Sequence, residues 1–180
     1  MDFLELVRIR FSTRSFLPKM VERAKLEKCL EAARLSPSAC NGQPWRFIVV
    51  ESETLKGRLA GEAFNGPYKM NSFAGEAPVL VVVVTVPTKT APRLAGLFRN
   101  LSYPLIDIGI AAEHFVLQAT EEGLGTCWIG WFNERNVRKV LGLDRNERVH
   151  VILAVGYTDR ETAQQKRKDR RKLEEMSEYR

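Results

Sequence analysis

An α+β fold, with helices packed around one β-sheet, is the architecture this sequence predicts, and three observations predict it. Helical and strand periodicities are interleaved without the regular rhythm of a doubly wound βαβ fold. The run Pro78-Val79-Leu80-Val81-Val82-Val83-Val84-Thr85-Val86 is β-branched and apolar at consecutive positions, as in a strand covered on both faces. Residues 104–122 are apolar nearly all round, as in a central helix buried on several sides.

The elements follow in order. Leu4, Leu6 and Val7 predict a helix over 3–9, with Asp2 as its N-cap. Leu26, Cys29, Leu30 and Ala33 recur at helical spacing and predict a helix over 21–35, with Glu22 near its positive end. Ser36-Pro37 stops it, because a residue before proline disfavours helical geometry. Trp45 to Val50 reads as a strand and Glu53 to Ala63 as a helix. Gly66-Pro67 marks a loop. Residues 79–86 form the central strand. Pro87 to Pro92, punctuated by prolines and threonines, reads as an exposed loop. In the long helix Leu105, Ile108, Ala112, Phe115 and Ala119 keep one face, and Ile106, Ile110 and Val116 widen it. Gly123 ends that helix in the position of a left-handed cap. Thr126 to Phe132 is a strand or extended loop, 134–141 a short helix, and Val149 to Tyr157 the last strand. There Val151, Leu153 and Val155 alternate with Ile152 and Ala154.

Composition bounds the function. A chain of 180 residues with 44% hydrophobic and 28% charged residues is a globular composition, and one domain over 1–180 is expected. No apolar run approaches the roughly 18 residues of a membrane span, and the N-terminus has no basic stretch before an apolar one. The three cysteines are widely spaced and form no C-x-x-C, so a disulfide framework is not expected and a reducing cytoplasm is. With two histidines and no ligand spacing, no metal site is expected. Net charge is +6 and uneven: residues 160–172 hold seven basic and two acidic residues, a surplus of +5. This basic extension over 160–180 has three readings: a nucleic-acid tail, a solvated face, or a segment folding back on an anionic ligand.

The side chains suited to chemistry are few. Cys40 reads as a small residue packed in a loop, with an activated thiol as the alternative. His114 and His150 read as satisfied core or edge histidines, and Asp107 as a dipole contact or salt-bridge partner. Gly123-Leu124-Gly125 lacks the third glycine of a dinucleotide fingerprint and follows a helix instead of a strand. Arg10-Phe11-Ser12-Thr13-Arg14 is more pointed. Two guanidinium forks and two hydroxyls within five residues suit a bound phosphate.

Five segments then share one likeness. The stretch Arg10 to Phe16 resembles the opening Arg-x-Ser-x-Arg-x-Phe signature of the nitroreductase-like flavoprotein family. Residues 36–47, SPSACNGQPWRF, resemble its Pro-Ser-x-x-Asn-x-Gln-Pro-Trp signature. Residues 123–132, GLGTCWIGWF, look like its Gly-Leu-Gly-x-x-Trp-Ile-Gly segment, and 153–159, LAVGYTD, like its strand ending in Gly-Tyr. Lys168-Asp169-Arg170 before Leu173-Glu174-Glu175 looks like its terminal Lys-x-Arg. All five lie in the family's order and run from end to end of the chain.

The resemblance implies a central, mainly antiparallel sheet flanked by helices, an intertwined homodimer, and FMN bound between subunits. Arg10, Ser12 and Arg14 would hold the phosphate, Phe11 would add backbone contacts, and Lys168 and Arg170 would close over it. A phosphate monoester of about −2 charge gives those tail cations a partner, and a terminal phosphate points to FMN over FAD. Pro37, Ser38, Ala39 and Asn41 would reach the isoalloxazine from the other subunit. Asn41 offers both a donor and an acceptor to its pyrimidine edge, and Gln43 would support the loop. Trp128, Ile129 and Gly130 would lie along the other face and present a backbone N–H to the flavin. Asn71 would touch the ring, as an asparagine does in some members. The implied activity is hydride transfer from NADH or NADPH through FMN to an electron-poor acceptor such as a nitroaromatic or quinone. No catalytic side chain is required, because the cofactor carries the chemistry. Two other classes stand beside it: a flavin-binding protein without turnover, in storage or sensing, and a basic-tail nucleic-acid module. The second lacks a helix-turn-helix, a zinc finger and an aromatic platform, so no nucleic-acid partner is expected.

Overall fold

The structure, a computed structural model, describes residues 1–87, 101–159 and 169–180. The capping chemistry begins and ends the helices. Helix α1 (Phe3–Ile9) starts where the Asp2 carboxylate accepts the Glu5 N–H at 3.1 Å. Helix α2 (Arg23–Arg34) has no side-chain cap at Glu22 and stops before Ser36-Pro37. Helix α3 (Glu53–Ala63) follows Ser52, whose hydroxyl accepts the Leu55 N–H. Helix α4 (Tyr103–Glu121) ends at Gly123, whose φ of +82° only glycine adopts at little cost. There the Gly123 and Leu124 N–H groups donate to Thr120 and Ala119, the paired bonds of a Schellman cap. Helix α5 (Glu134–Leu141) starts at Asn133, which accepts the Asn136 N–H, and ends at the left-handed Gly142.

Among the described residues four strands pair antiparallel throughout: β1 (Trp45–Val50), β2 (Val79–Thr85), β3 (Gly125–Ile129) and β4 (Arg148–Gly156), in the order β1-β2-β4-β3. Central placement explains the valine run, since Val79 to Val84 are at most 1% exposed. Val79, Val81 and Val83 face α2 and α4, while Leu80, Val82 and Val84 face α3, α5 and residues 66–76. The layers are therefore helix, sheet, helix. The alternation expected for the last strand holds: Val151, Leu153 and Val155 join the first core and Ile152 and Ala154 the second. His150 is the extra residue of a β-bulge, since Val83 pairs with Val151 but Val84 with Val149. The bulge reverses the pleat, so Val149 packs on the opposite face from Val151.

Three expectations need correction. Gly66-Pro67 opens a run of 3-10 turns over Gly66–Glu76, not a loop. Helix α4 buries Ile108, Ala112, Phe115 and Ala119, yet Leu105 and Ile106 are each 46% exposed, so it is open on one side of its first turns. Strand β3 ends at Ile129, and residues 130–132 turn toward α5, where the Asn133 N–H bonds Ala63. Most of the loop expected over Pro87 to Pro92 lies outside the described residues.

Candidate functional site

The first motif lies on the free edge of β3. Arg10 closes α1 with its N–H on the Leu6 carbonyl. The chain then runs parallel to β3: Ser12 bridges Thr126, and the Thr13 N–H donates to the Thr126 carbonyl at 2.8 Å. Gly125 makes this approach possible. A Cβ there would stand 2.4 Å from Thr13 Oγ1 and 2.9 Å from its Cγ2, and Thr13 is buried. Thr126 turns its carbonyl away from β4, and alternate residues repeat that direction. The N–H of Trp128 therefore also points to the free edge. Gly130 follows as an exposed residue with open space where a side chain would stand. Ile129 faces the core at 2% exposure.

Around this edge the side chains are cationic and aromatic. Phe11 and Ser12 are half-buried and Arg14 is exposed, with its guanidinium 5.9 Å from the Phe73 ring centre. Arg10 Nε lies 3.9 Å from Glu113 Oε1 on α4, and burial raises the pKa of that carboxyl against the opposing pull of Arg10 and Trp128. Asn71 donates to the Trp131 carbonyl at 2.8 Å, the Trp131 indole N–H to Pro67, and the Trp131 ring meets Tyr68 at 5.1 Å. The 3-10 run thus fastens to the segment after β3. Of the tail, Arg170 is exposed, and Lys168 lies outside the described residues.

The second motif is a strained loop. Cys40, Asn41 and Gln43 have φ of +50°, +53° and +45°. Each non-glycine residue in this region costs about 1–2 kcal/mol, and such outliers gather at binding sites. Side chains hold the loop. The Ser38 hydroxyl accepts the Gln43 N–H at 3.0 Å, and the Gln43 amide donates to Asn41 Oδ1 at 3.1 Å. Asp107 Oδ1 accepts the Ala39 N–H at 3.0 Å from within the protein, the carboxylate residue being only 5% exposed. Pro37, Asn41 and Gln43 remain exposed, and Ser38 and Ala39 half-buried.

Several residues depart from the expected roles. Asp107 lies in the first turns of α4, as a dipole contact requires, but it serves loop backbone and forms no salt bridge among the described residues. Cys40 is exposed, not packed. His114 lies exposed on α4 with Nδ1 2.8 Å from the Ile110 carbonyl. His150 lines a cavity of about 400 Å³ with Asp107, Gly42 and Arg148, and burial and Arg148 hold its pKa below the usual histidine value. Asp107 and Glu113 were not legible as site residues. The signal was present: they are the only acidic residues in the mainly apolar stretch 103–120.

The protomer does not close the two motifs on each other. The loop's hydrogen bonds run within itself and to Asp107, while Arg10 pairs with Glu113 six residues later, roughly 9 Å along the axis of α4. Among the described residues, no group of three or more His, Cys, Asp or Glu side chains could hold a metal ion, and no helix is long and apolar enough to cross a membrane. The donor set at 10–14 fits a phosphate monoester, and the outward N–H of β3 beside Gly130 fits a flat ring system.

The profile of the family described as the Nitroreductase family matches residues 7–157. The chain is 29% identical to an oxygen-insensitive NADPH nitroreductase of Helicobacter acinonychis, over 80% of this chain and 81% of that protein. The structure of a nitroreductase family protein from Clostridium novyi NT superposes with a TM-score of 0.75 at 35% identity, covering 88% of this chain and 86% of that one. An FMN-dependent nitroreductase from Clostridium difficile R20291 superposes at 0.72 with 26% identity, covering 97% and 94%.

Proposed function

The chain belongs to the nitroreductase family, and from that premise we propose that it is an FMN-dependent oxidoreductase driven by NADH or NADPH. Its acceptor is an electron-poor molecule such as a nitroaromatic or quinone. The observation that carries this reading is the alignment of Arg10, Ser12 and Arg14 along the free edge of β3.

FMN, when bound, accepts hydride and passes electrons on. The protein's part is to bind and orient. Arg10, Ser12 and Arg14 hold the phosphate, with Phe11 backbone beside them, and Lys168 and Arg170 of the tail are assigned to the same phosphate. Trp128, Ile129 and Gly130 present the strand edge, where the Trp128 N–H supplies a fixed donor to the ring. Fixed N–H groups stabilise negative charge without reorganising. Asn71 fastens this segment by its bond to Trp131. Pro37, Ser38, Ala39 and Asn41, braced by Gln43, complete the site from a second copy. The exposed apolar surface supports that assembly. Helix α1 buries none of its residues and exposes Phe3, Leu4 and Val7, α4 exposes Leu105 and Ile106, and the tail exposes Leu173, Met176 and Tyr179. We place the enzyme in the cytoplasm as a single domain over 1–180, with the basic extension contributing Lys168 and Arg170.

Anaerobic mixing of the yellow holoprotein with NADH and with NADPH tests the turnover. Loss of flavin absorbance with at least one nicotinamide, and its return on adding a quinone or nitroaromatic, is expected. Flavin that stays oxidised with both would leave a binding protein without turnover.

A further inference from the structure

The half-buried carboxylate of Glu113 stands beside the first motif. It lies 3.9 Å from Arg10 Nε, at the outer limit of an ion pair. Resting on the FMN reading above, we propose that Glu113 takes up a proton when the FMN phosphate docks on Arg10, so that cofactor affinity is coupled to pH.

The groups facing this carboxyl are few. Arg10 approaches from the end of α1, Trp128 from β3, and His114 from its own helix. Helix α2 also packs on α4, but its Lys25 and Lys28 go to Glu122 instead. Burial holds the Glu113 carboxyl above the ordinary carboxylate range, outweighing the opposing pull of Arg10, Trp128 and His114. Arg10 is the largest of these pulls, and it is held loosely at 3.9 Å. A phosphate of about −2 charge on the same guanidinium competes for that cation and adds like charge nearby. Both changes favour the neutral acid. Glutamine keeps a carbonyl acceptor without charge and so imitates the proton-bound state.

The sign follows. As pH rises, the wild type loses the proton that FMN binding requires, while Glu113→Gln has none to lose. The ratio of wild-type to variant Kd therefore rises with pH. A tenfold rise corresponds to a difference of about one pH unit between the carboxyl's pKa in the free and FMN-bound protein. Titration of the phosphate itself is common to both proteins and cancels in the ratio.

Calorimetric titration of apoprotein with FMN, between pH 5 and 8 in buffers of different ionisation enthalpy, measures both quantities. The wild type should take up a larger fraction of a proton than Glu113→Gln, with the Kd ratio climbing across the range. Equal proton counts and parallel affinity curves overturn the inference while leaving FMN binding intact. If Glu113→Gln does not fold, Glu113→Ala serves as the reference, because it too lacks the titrating group while the phosphate contribution stays common to both proteins. Proton uptake by the wild type no greater than by that variant overturns the inference. Failure of both proteins to bind FMN at any pH overturns the cofactor reading, and this inference with it.

Discussion

Asp107 holds the strained loop by one hydrogen bond to Ala39, and its removal isolates that contribution. A hydrogen bond to a charged group contributes about 1.5–3 kcal/mol. Asp107→Ala should therefore weaken FMN about tenfold or more in a fluorescence titration, with the far-ultraviolet circular dichroism unchanged; unaltered affinity would remove the loop from the site. Gly125→Ala tests the other motif. Its new methyl meets Thr13 at 2.4–3.0 Å through three side-chain atoms, so no rotation relieves it and the 10–14 segment must shift. The variant should purify with little flavin. Residue roles were unevenly legible. Arg10, Ser12 and Arg14 announce an anion site because charge and hydroxyls cluster within one turn's length. Asp107 and Glu113 do not, because their partners lie 68 and 103 residues away in sequence.

At the scale of elements, α2 and α4 are joined at their ends as well as through their apolar faces. Lys28 pairs with Glu122 at 2.9 Å, and Lys25 donates to the Glu122 carbonyl at 2.6 Å, where a cation favours the helix C-terminus. The Lys28 ammonium holds the Glu122 carboxyl below its usual value. A carboxylate whose pKa is depressed by folding stabilises fully above its unfolded value of 4.5, and that stability is lost as pH falls through the folded value. The melting temperature of the wild type should thus fall more steeply below about pH 4.5 than that of Glu122→Gln. Parallel curves would show the pair to be inert. Helices and strands with a clear period were legible to within a residue or two, as at 3–9, 45–50 and 134–141. The 66–76 turns were not, because 3-10 turns have a period close to helical and Gly66-Pro67 signals only a break. The pleat reversal at His150 was also hidden, since a bulge depends on the partner strand.

At the scale of the molecule, the proposed division of the site between two copies is open to a direct test. Coexpression of Arg14→Ala with Asn41→Ala chains makes the division of labour measurable. Neither homodimer should hold flavin, but the mixed dimer retains one unaltered site and should carry one FMN per two chains. Flavin absent from the mixed dimer, or retained by an isolated monomer, would contradict a shared site. Hydropathy alone did not disclose the exposed start of α4, because Leu105 and Ile106 read as core residues and are surface in the protomer. The functional reading depends on the cofactor. The visible spectrum of freshly purified protein, with the released chromophore identified by mass, tests that most directly. An oxidised-flavin spectrum with FMN released is predicted; a colourless protein that takes up no added FMN, or one that releases FAD, would contradict it.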